Sequence, residues 1–113
     1  MILREVAFSR CGDKSDVSNV CVFPYDPADW PWLRGWLTAE RVAEKYRSVA
    51  HGPVHRYELP VIEGLNFVLE RALGGGASSS LRMDTYGKCL QSLVLDLEVP
   101  DGPDGPPSRN GAA

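Results

Sequence analysis

Apolar and polar residues along this chain fall into short runs with two different periods, one of two residues and one of three to four. Residues 2–10, "ILREVAFSR", set Leu3, Glu5 and Ala7 against Arg4, Val6 and Phe8, with the apolar side chains leaning to one face, and predict a first strand. "VSNVCVFPY" supplies Val17, Val20, Val22 and Phe23 and predicts a second extended segment that Pro24 stops. The polar stretch "CGDKSDVSN", Cys11 to Asn19, then reads as the connection between the two. Gly12 and one Asp are enough for such a turn.

"YDPADWPWLRGWLTAERVAEKYRSVAHGP" carries the helical period. Asp26 ahead of Pro27 has the form of an N-cap followed by proline at the first helical position, and Pro31 suggests a fresh start. Leu33, Trp36 and Leu37 form one apolar face, but its continuation would reach Glu40, Arg41 and Glu44. Thr38 can cap a second segment with the face Val42, Ala43, Tyr46, Val49 and Ala50, closed by Gly52 and Pro53. A bent pair of helices, or one helix with a phase change, is expected. "VHRYELPVI" alternates Val54, Arg56 and Glu58 with His55, Tyr57 and Leu59 and predicts a third strand. In "EGLNFVLERALGGG", Leu65, Val68, Leu69, Ala72 and Leu73 take helical spacing, so a helix capped by Gly74 is expected, with Asn66 in its first turn.

Leu81 and Met83 alternate with Arg82 and Asp84, "TYGK" reads as a turn, and Leu93, Leu95, Leu97 and Val99 hold period two. A closing hairpin is favoured, although Leu90, Leu93, Val94 and Leu97 also fit a helical face. The last fourteen residues, "PDGPDGPPSRNGAA", include seven Pro or Gly and hardly any apolar side chains, so a disordered tail over 100–113 is expected beyond a domain of residues 1–99. The predicted order β, β, α, β, α, β, β makes an α+β sandwich, with helices covering one face of a mostly antiparallel sheet.

A chain of 113 residues with a net charge of −3 fits one domain with a modest core. Its twelve Lys and Arg form no stripe, which argues against nucleic acid as a partner. No apolar run approaches the roughly 20 residues of a membrane span, and the first ten residues are too short and too charged for a signal peptide, so a cytoplasmic location is expected. Cys11, Cys21 and Cys89 fit neither a disulfide framework nor a zinc pattern and read as buried free thiols in a reducing compartment. "GP" between His51 and His55 rules out a shared helical face for a metal pair.

Three stretches exceed what their local structure requires. In "GDKSDVSN" a turn does not account for Lys14, Asp16, Ser18 and Asn19 together, although a solvated loop tolerates them. "GGGASSS", Gly74 to Ser80, presents backbone N–H groups and hydroxyls suited to an anion or a carbonyl oxygen, or else forms a flexible linker; it lacks the GK[ST] ending of a Walker loop. "SLRMDTYGK" places Arg82, Asp84 and Lys88 on the polar side of a strand and turn, an ordinary pattern for a solvated surface.

Taken together, "LREVAFSRCGDKSDVSNVCV", "RYELPVIEGLNFVLERALGGG" and "SLRMDTYGKCL" resemble the ferredoxin-fold domain found at the C-terminus of acyclic terpene utilisation protein A (AtuA), and as a separate small protein beside a larger AtuA-type subunit. The family tends to read GDKGD, with a glycine two residues after the Asn; here Ser15 and Cys21 stand at those points. The resemblance implies a ferredoxin-like two-layer α+β sandwich and a role in metabolism of carboxylic acids or acyl-CoA esters. In AtuA itself the pathway degrades acyclic terpenoids such as citronellol and geraniol. Its matching positions are Gly12, Asp13, Lys14, Asp16, Asn19, Asn66, Gly74, Gly75, Gly76, Arg82 and Lys88. "Ferredoxin-like" here describes topology, since no cysteine spacing supports an iron–sulfur cluster, and no cofactor is expected.

Two kinds of function remain open at this point. One is a small subunit that docks on a larger AtuA-type protein, with Trp30, Trp32 and Trp36 as aromatic anchors. The other is a free-standing enzyme or binding protein for an anionic small molecule. There Lys14 and Arg82 would hold a carboxylate or phosphate, Asp13 or Asp16 would act as general base, and Gly12, Asn19, Asn66, Gly74, Gly75, Gly76 and Lys88 would complete the site.

Overall fold

Leu65, Phe67 and Leu69 are fully buried while Asn66 and Val68 between them are not, and this period of two makes the segment a strand. The computed structural model describes residues 1–14, 17–47, 52–70 and 93–109 and contains four strands in one sheet: β1 (Ala7–Lys14), β2 (Val17–Pro24), β3 (Val54–Leu59) and β4 (Gly64–Glu70). Their order is β1-β2-β4-β3, antiparallel throughout. Helices α1 (Trp30–Trp36) and α2 (Ala39–Lys45) lie between β2 and β3 in sequence. Their buried residues Trp30, Leu33 and Val42, with Leu37 between the helices, join Val20, Val22, Leu65, Phe67 and Leu69 in one core. The result is a two-layer α+β sandwich of the expected ferredoxin-like kind.

The helix expected over "EGLNFVLERALGGG" is corrected to β4 as far as Glu70. Both periods fit the apolar positions, but only the strand buries Phe67, and neighbours on both sides satisfy its backbone groups. β1 and β2 also extend into the stretch expected to be a loop: Cys11–Lys14 and Val17–Asn19 are paired backbone, with Lys14 opposite Val17. The first strand begins only at Ala7, after a 3-10 turn over Leu3–Glu5.

The caps follow the sequence reading. The Asp26 carboxylate accepts the Ala28 N–H at 2.9 Å, and the Thr38 hydroxyl accepts the Arg41 N–H at 3.2 Å. The chain breaks at Leu37 between α1 and α2 because a continuous helix would have carried Glu40, Arg41 and Glu44 into the core. Arg56 of β3 reinforces the break by donating to the carbonyl oxygens of Leu37, at 3.0 Å, and Arg34.

The first strand and turn of the expected closing hairpin lie outside the described residues, and its expected second strand, from residue 93 to 99, is not a regular strand. Val94–Asp96 is a 3-10 turn with Val94 and Leu95 buried, and the Val94 N–H donates to the Tyr46 hydroxyl at 3.2 Å. Glu98 pairs with Ile2 as a single antiparallel bridge, flanked by Leu3 N–H to Leu97 O at 2.9 Å and Val99 N–H to Met1 O at 2.8 Å. Residues 101–109, whose composition predicts disorder, hold two further 3-10 turns, Gly102–Asp104 and Pro107–Arg109.

The strand and helix assignments for residues 64–70 differ in which side chain packs. Phe67→Ala is expected to cost about 3–5 kcal/mol in urea unfolding, whereas Val68→Thr costs about 1 kcal/mol or less. A helical segment would reverse that order.

Candidate functional site

β2 and β4 are the central pair of the sheet. Their register sets Val20 opposite Phe67 and Val22 opposite Leu65 in the core. Alternation then commits Asn19, Cys21, Asn66 and Val68 to the other face, with Cys21 opposite Asn66. All four are half-buried, and no described helix lies over them.

The Asn66 carboxamide is the centre of this face. Its Oδ1 accepts the Asn19 Nδ2–H at 3.2 Å and the Cys21 thiol at 3.3 Å. One oxygen is therefore held by donors from two positions of β2, which fixes the rotamer of the amide. The Asn66 Nδ2 group and the Asn19 Oδ1 have no other side-chain partner among the described residues. Between them the two carboxamides thus keep an N–H donor and a carbonyl acceptor, the kinds of group that a carboxyl or carboxamide complements.

Burial pushes the Cys21 thiol above its ordinary pKa. Desolvation disfavours the thiolate, so the group stays a neutral S–H donor to Asn66 at neutral pH. The unfolded thiol ionises first, so this contribution to stability is complete below the unfolded pKa and is lost as pH rises through the folded one.

Around the amides lie further groups of the same face. Arg10 of β1 is opposite Cys21, exposed, and without an acidic partner among the described residues. Tyr57 of β3 is opposite Asn66 and 52% exposed. His55 Nε2–H donates to Glu70 Oε2 at 2.7 Å. At one end Phe8 stacks on Phe23 with centroids 5.3 Å apart and meets Tyr25 at 5.1 Å. Phe23 lies against Gly64, where a Cβ would come within 2.4 Å of the ring, so this position of β4 must lack a side chain.

Of the positions expected from the sequence, Asn19 and Asn66 are brought together, and Gly12 joins them by register opposite Asn19. Asp13 pairs with Ser18 and Lys14 with Val17, so positions 13 and 14 fall in opposite phases of the strand. Asp16, Gly74, Gly75, Gly76, Arg82 and Lys88 lie outside the described residues. Asn66, expected in the first turn of a helix, is instead at the centre of β4. In the sequence Cys21 stands where the family tends to have a glycine, not as part of a site, and Arg10 is not singled out; the signal that places both here is their period-two phase with Asn19. No group of three His, Cys, Asp or Glu able to hold a metal ion occurs among the described residues.

The tryptophans are largely occupied within the chain. Trp30 is in the core, and Trp32 and Trp36 stack at 5.2 Å. The Arg41 guanidinium lies 4.6 Å from the Trp36 ring centroid.

An antiparallel sheet with helices on one face, and on the other a polar cluster that no described helix covers, is a ferredoxin-like sandwich. The chain belongs to the AtuA ferredoxin-like domain family, whose model matches residues 1–100. Neither a curated protein nor a solved structure matches it. Among the described residues no helix is long and apolar enough to cross a membrane.

Peptide-mapped alkylation with iodoacetamide is expected to modify Cys21 more slowly in the folded than in the unfolded chain at pH 8, with the folded rate still rising above the ordinary thiol range. Equal rates in the two states would contradict the burial of this thiol.

Proposed function

We propose that the chain is a small subunit that docks a larger AtuA-type protein through the open face of its sheet, and there contributes to a site for a carboxylic acid or acyl-CoA ester of terpenoid-like kind. The observation that carries the proposal is the Asn66 carboxamide, fixed by Asn19 and Cys21 in mid-sheet with an amide N–H to spare. Family membership supports the partner. The neighbouring Arg10 supports the acidic ligand, because an exposed guanidinium on the same face favours an anion.

In this reading Lys14, Asp13 and Asp16 supply acid–base chemistry at the edge of the shared site, and Gly12, Gly74, Gly75, Gly76, Arg82 and Lys88 line it or its interface. Such groups must come within hydrogen-bond reach of the reacting proton, a condition the partner would complete. The tryptophans are not the anchors of this interface, since their surface is committed to the core, to each other and to Arg41.

A second reading, a free-standing binding protein for an anionic small molecule, draws on the same uncommitted donor and acceptor of the Asn pair. One experiment separates the two. Native mass spectrometry of the chain co-expressed with the larger subunit is expected to give a complex of fixed ratio. Asn66→Arg, which sets a bulky cation on the open face, is expected to abolish that complex while far-UV circular dichroism keeps its wild-type form. Lys14→Ala is expected to keep the complex and lose turnover. A monomer that never finds the larger subunit, yet binds an acyl-CoA with an affinity that Asn66→Arg removes, would replace the first reading by the second.

A further inference from the structure

Asp29 is the buried charged residue among the described residues, 1% exposed at the end of the 3-10 turn Pro27–Asp29. A carboxylate taken out of water is costly unless hydrogen bonds replace its hydration. Here both oxygens are answered by one residue 79 positions on. The Ser108 backbone N–H donates to Oδ1 at 2.9 Å and the Ser108 hydroxyl to Oδ2 at 2.5 Å. Charge-assisted bonds of this kind are about twice as strong as neutral ones.

The same segment is fastened at three more points, the first an ion pair of the N-terminal ammonium with Asp101 Oδ1 at 3.5 Å. The Asp104 carbonyl accepts the Trp32 Nε1–H at 3.0 Å. Arg109 donates to the Glu5 carbonyl at 3.1 Å, and its guanidinium lies 3.7 Å from the Glu5 carboxylate. Gly105 and Pro106 are buried between these points, yet no residue beyond Val99 belongs to the apolar core. Residues 101–109 carry no aliphatic or aromatic side chain other than proline, so polar contacts on either side of the buried Gly105 and Pro106 hold the segment, and it can leave without opening the sandwich. It also lies beyond residue 100, where the family match ends.

We propose that residues 101–109 are a releasable strap, latched by Ser108 on Asp29, that closes over Trp32 and exposes Trp32 and Asp29 together when it lets go. The strap sits on the helix layer, away from the open sheet face, and the proposal is independent of the function argued for that face.

Hydrogen exchange followed by NMR on the full chain tests it. The Gly105 and Arg109 amides, which donate to Gly102 O and Pro106 O, and the Trp32 indole N–H report the strap. The Val20 and Phe67 amides report the sheet. In the wild type the strap groups are expected to be protected, but less than the sheet. Ser108→Glu sets a second carboxylate against Asp29 and is expected to cut strap protection at least about tenfold, the loss of one hydrogen bond to a charged group, with sheet protection unchanged. Ser108→Ala keeps the backbone N–H and is expected to fall between. Unchanged strap protection in Ser108→Glu would overturn the latch. Strap and sheet protection that are equal in the wild type, fall together, or vanish together in an unfolded variant would overturn releasability.

Discussion

The pairing of β2 with β4 governs the rest of the structure. Two strands in the middle of a sheet have no freedom to slip by one residue, because a slip would send Val20, Val22, Leu65, Phe67 and Leu69 to the open face and bring Asn19, Cys21 and Asn66 into the core. The apolar side chains committed to one face therefore place Asn19, Cys21 and Asn66 on the other. The core and the amide cluster are two consequences of a single register.

The helix layer depends on that register in turn. Leu33 of α1, Leu37 at the break and Val42 of α2 have a surface to cover only because β2 and β4 present their apolar residues to one side. Arg56, on β3, ties the sheet to the Leu37 break between the helices. The Tyr46 hydroxyl, fully buried just past α2, receives the Val94 N–H and so docks the returning chain. From Val94 the chain runs back to the start, where the Ile2–Glu98 bridge holds residues 2 and 98 side by side.

Much of this was legible in the sequence, and the exceptions have physical causes. Asp26 with Pro27, Thr38, and the phase conflict at Glu40 and Arg41 define the helical pair because caps and periodicity are local signals. The alternation of β3 is local as well. Residues 64–70 were not legible, because Leu65, Val68 and Leu69 satisfy a helix as well as Leu65, Phe67 and Leu69 satisfy a strand. The choice between them is made by strands β2 and β3 on either side, which no window of the sequence contains. The candidate site inherited the ambiguity. Asn19 and Asn66 were named from the resemblance, but their meeting, and the inclusion of Cys21 and Arg10, required the register.

A cluster set by register differs from one built on a loop. Asn66 sits on a strand paired on both sides, and its amide oxygen is held by donors from β2, so the carboxamide is oriented by the sheet itself. In place of the glycine usual for the family, Cys21 fills space beside the amide and adds one of those donors. A double-mutant cycle on Asn19 and Asn66 measures this directly. Unfolding free energies of Asn19→Ala, Asn66→Ala and the double variant are expected to be non-additive, with a coupling of about 0.5–1.5 kcal/mol, the range of one net hydrogen bond. Additive losses would mean that the two carboxamides do not meet, and would contradict the register on which the account rests.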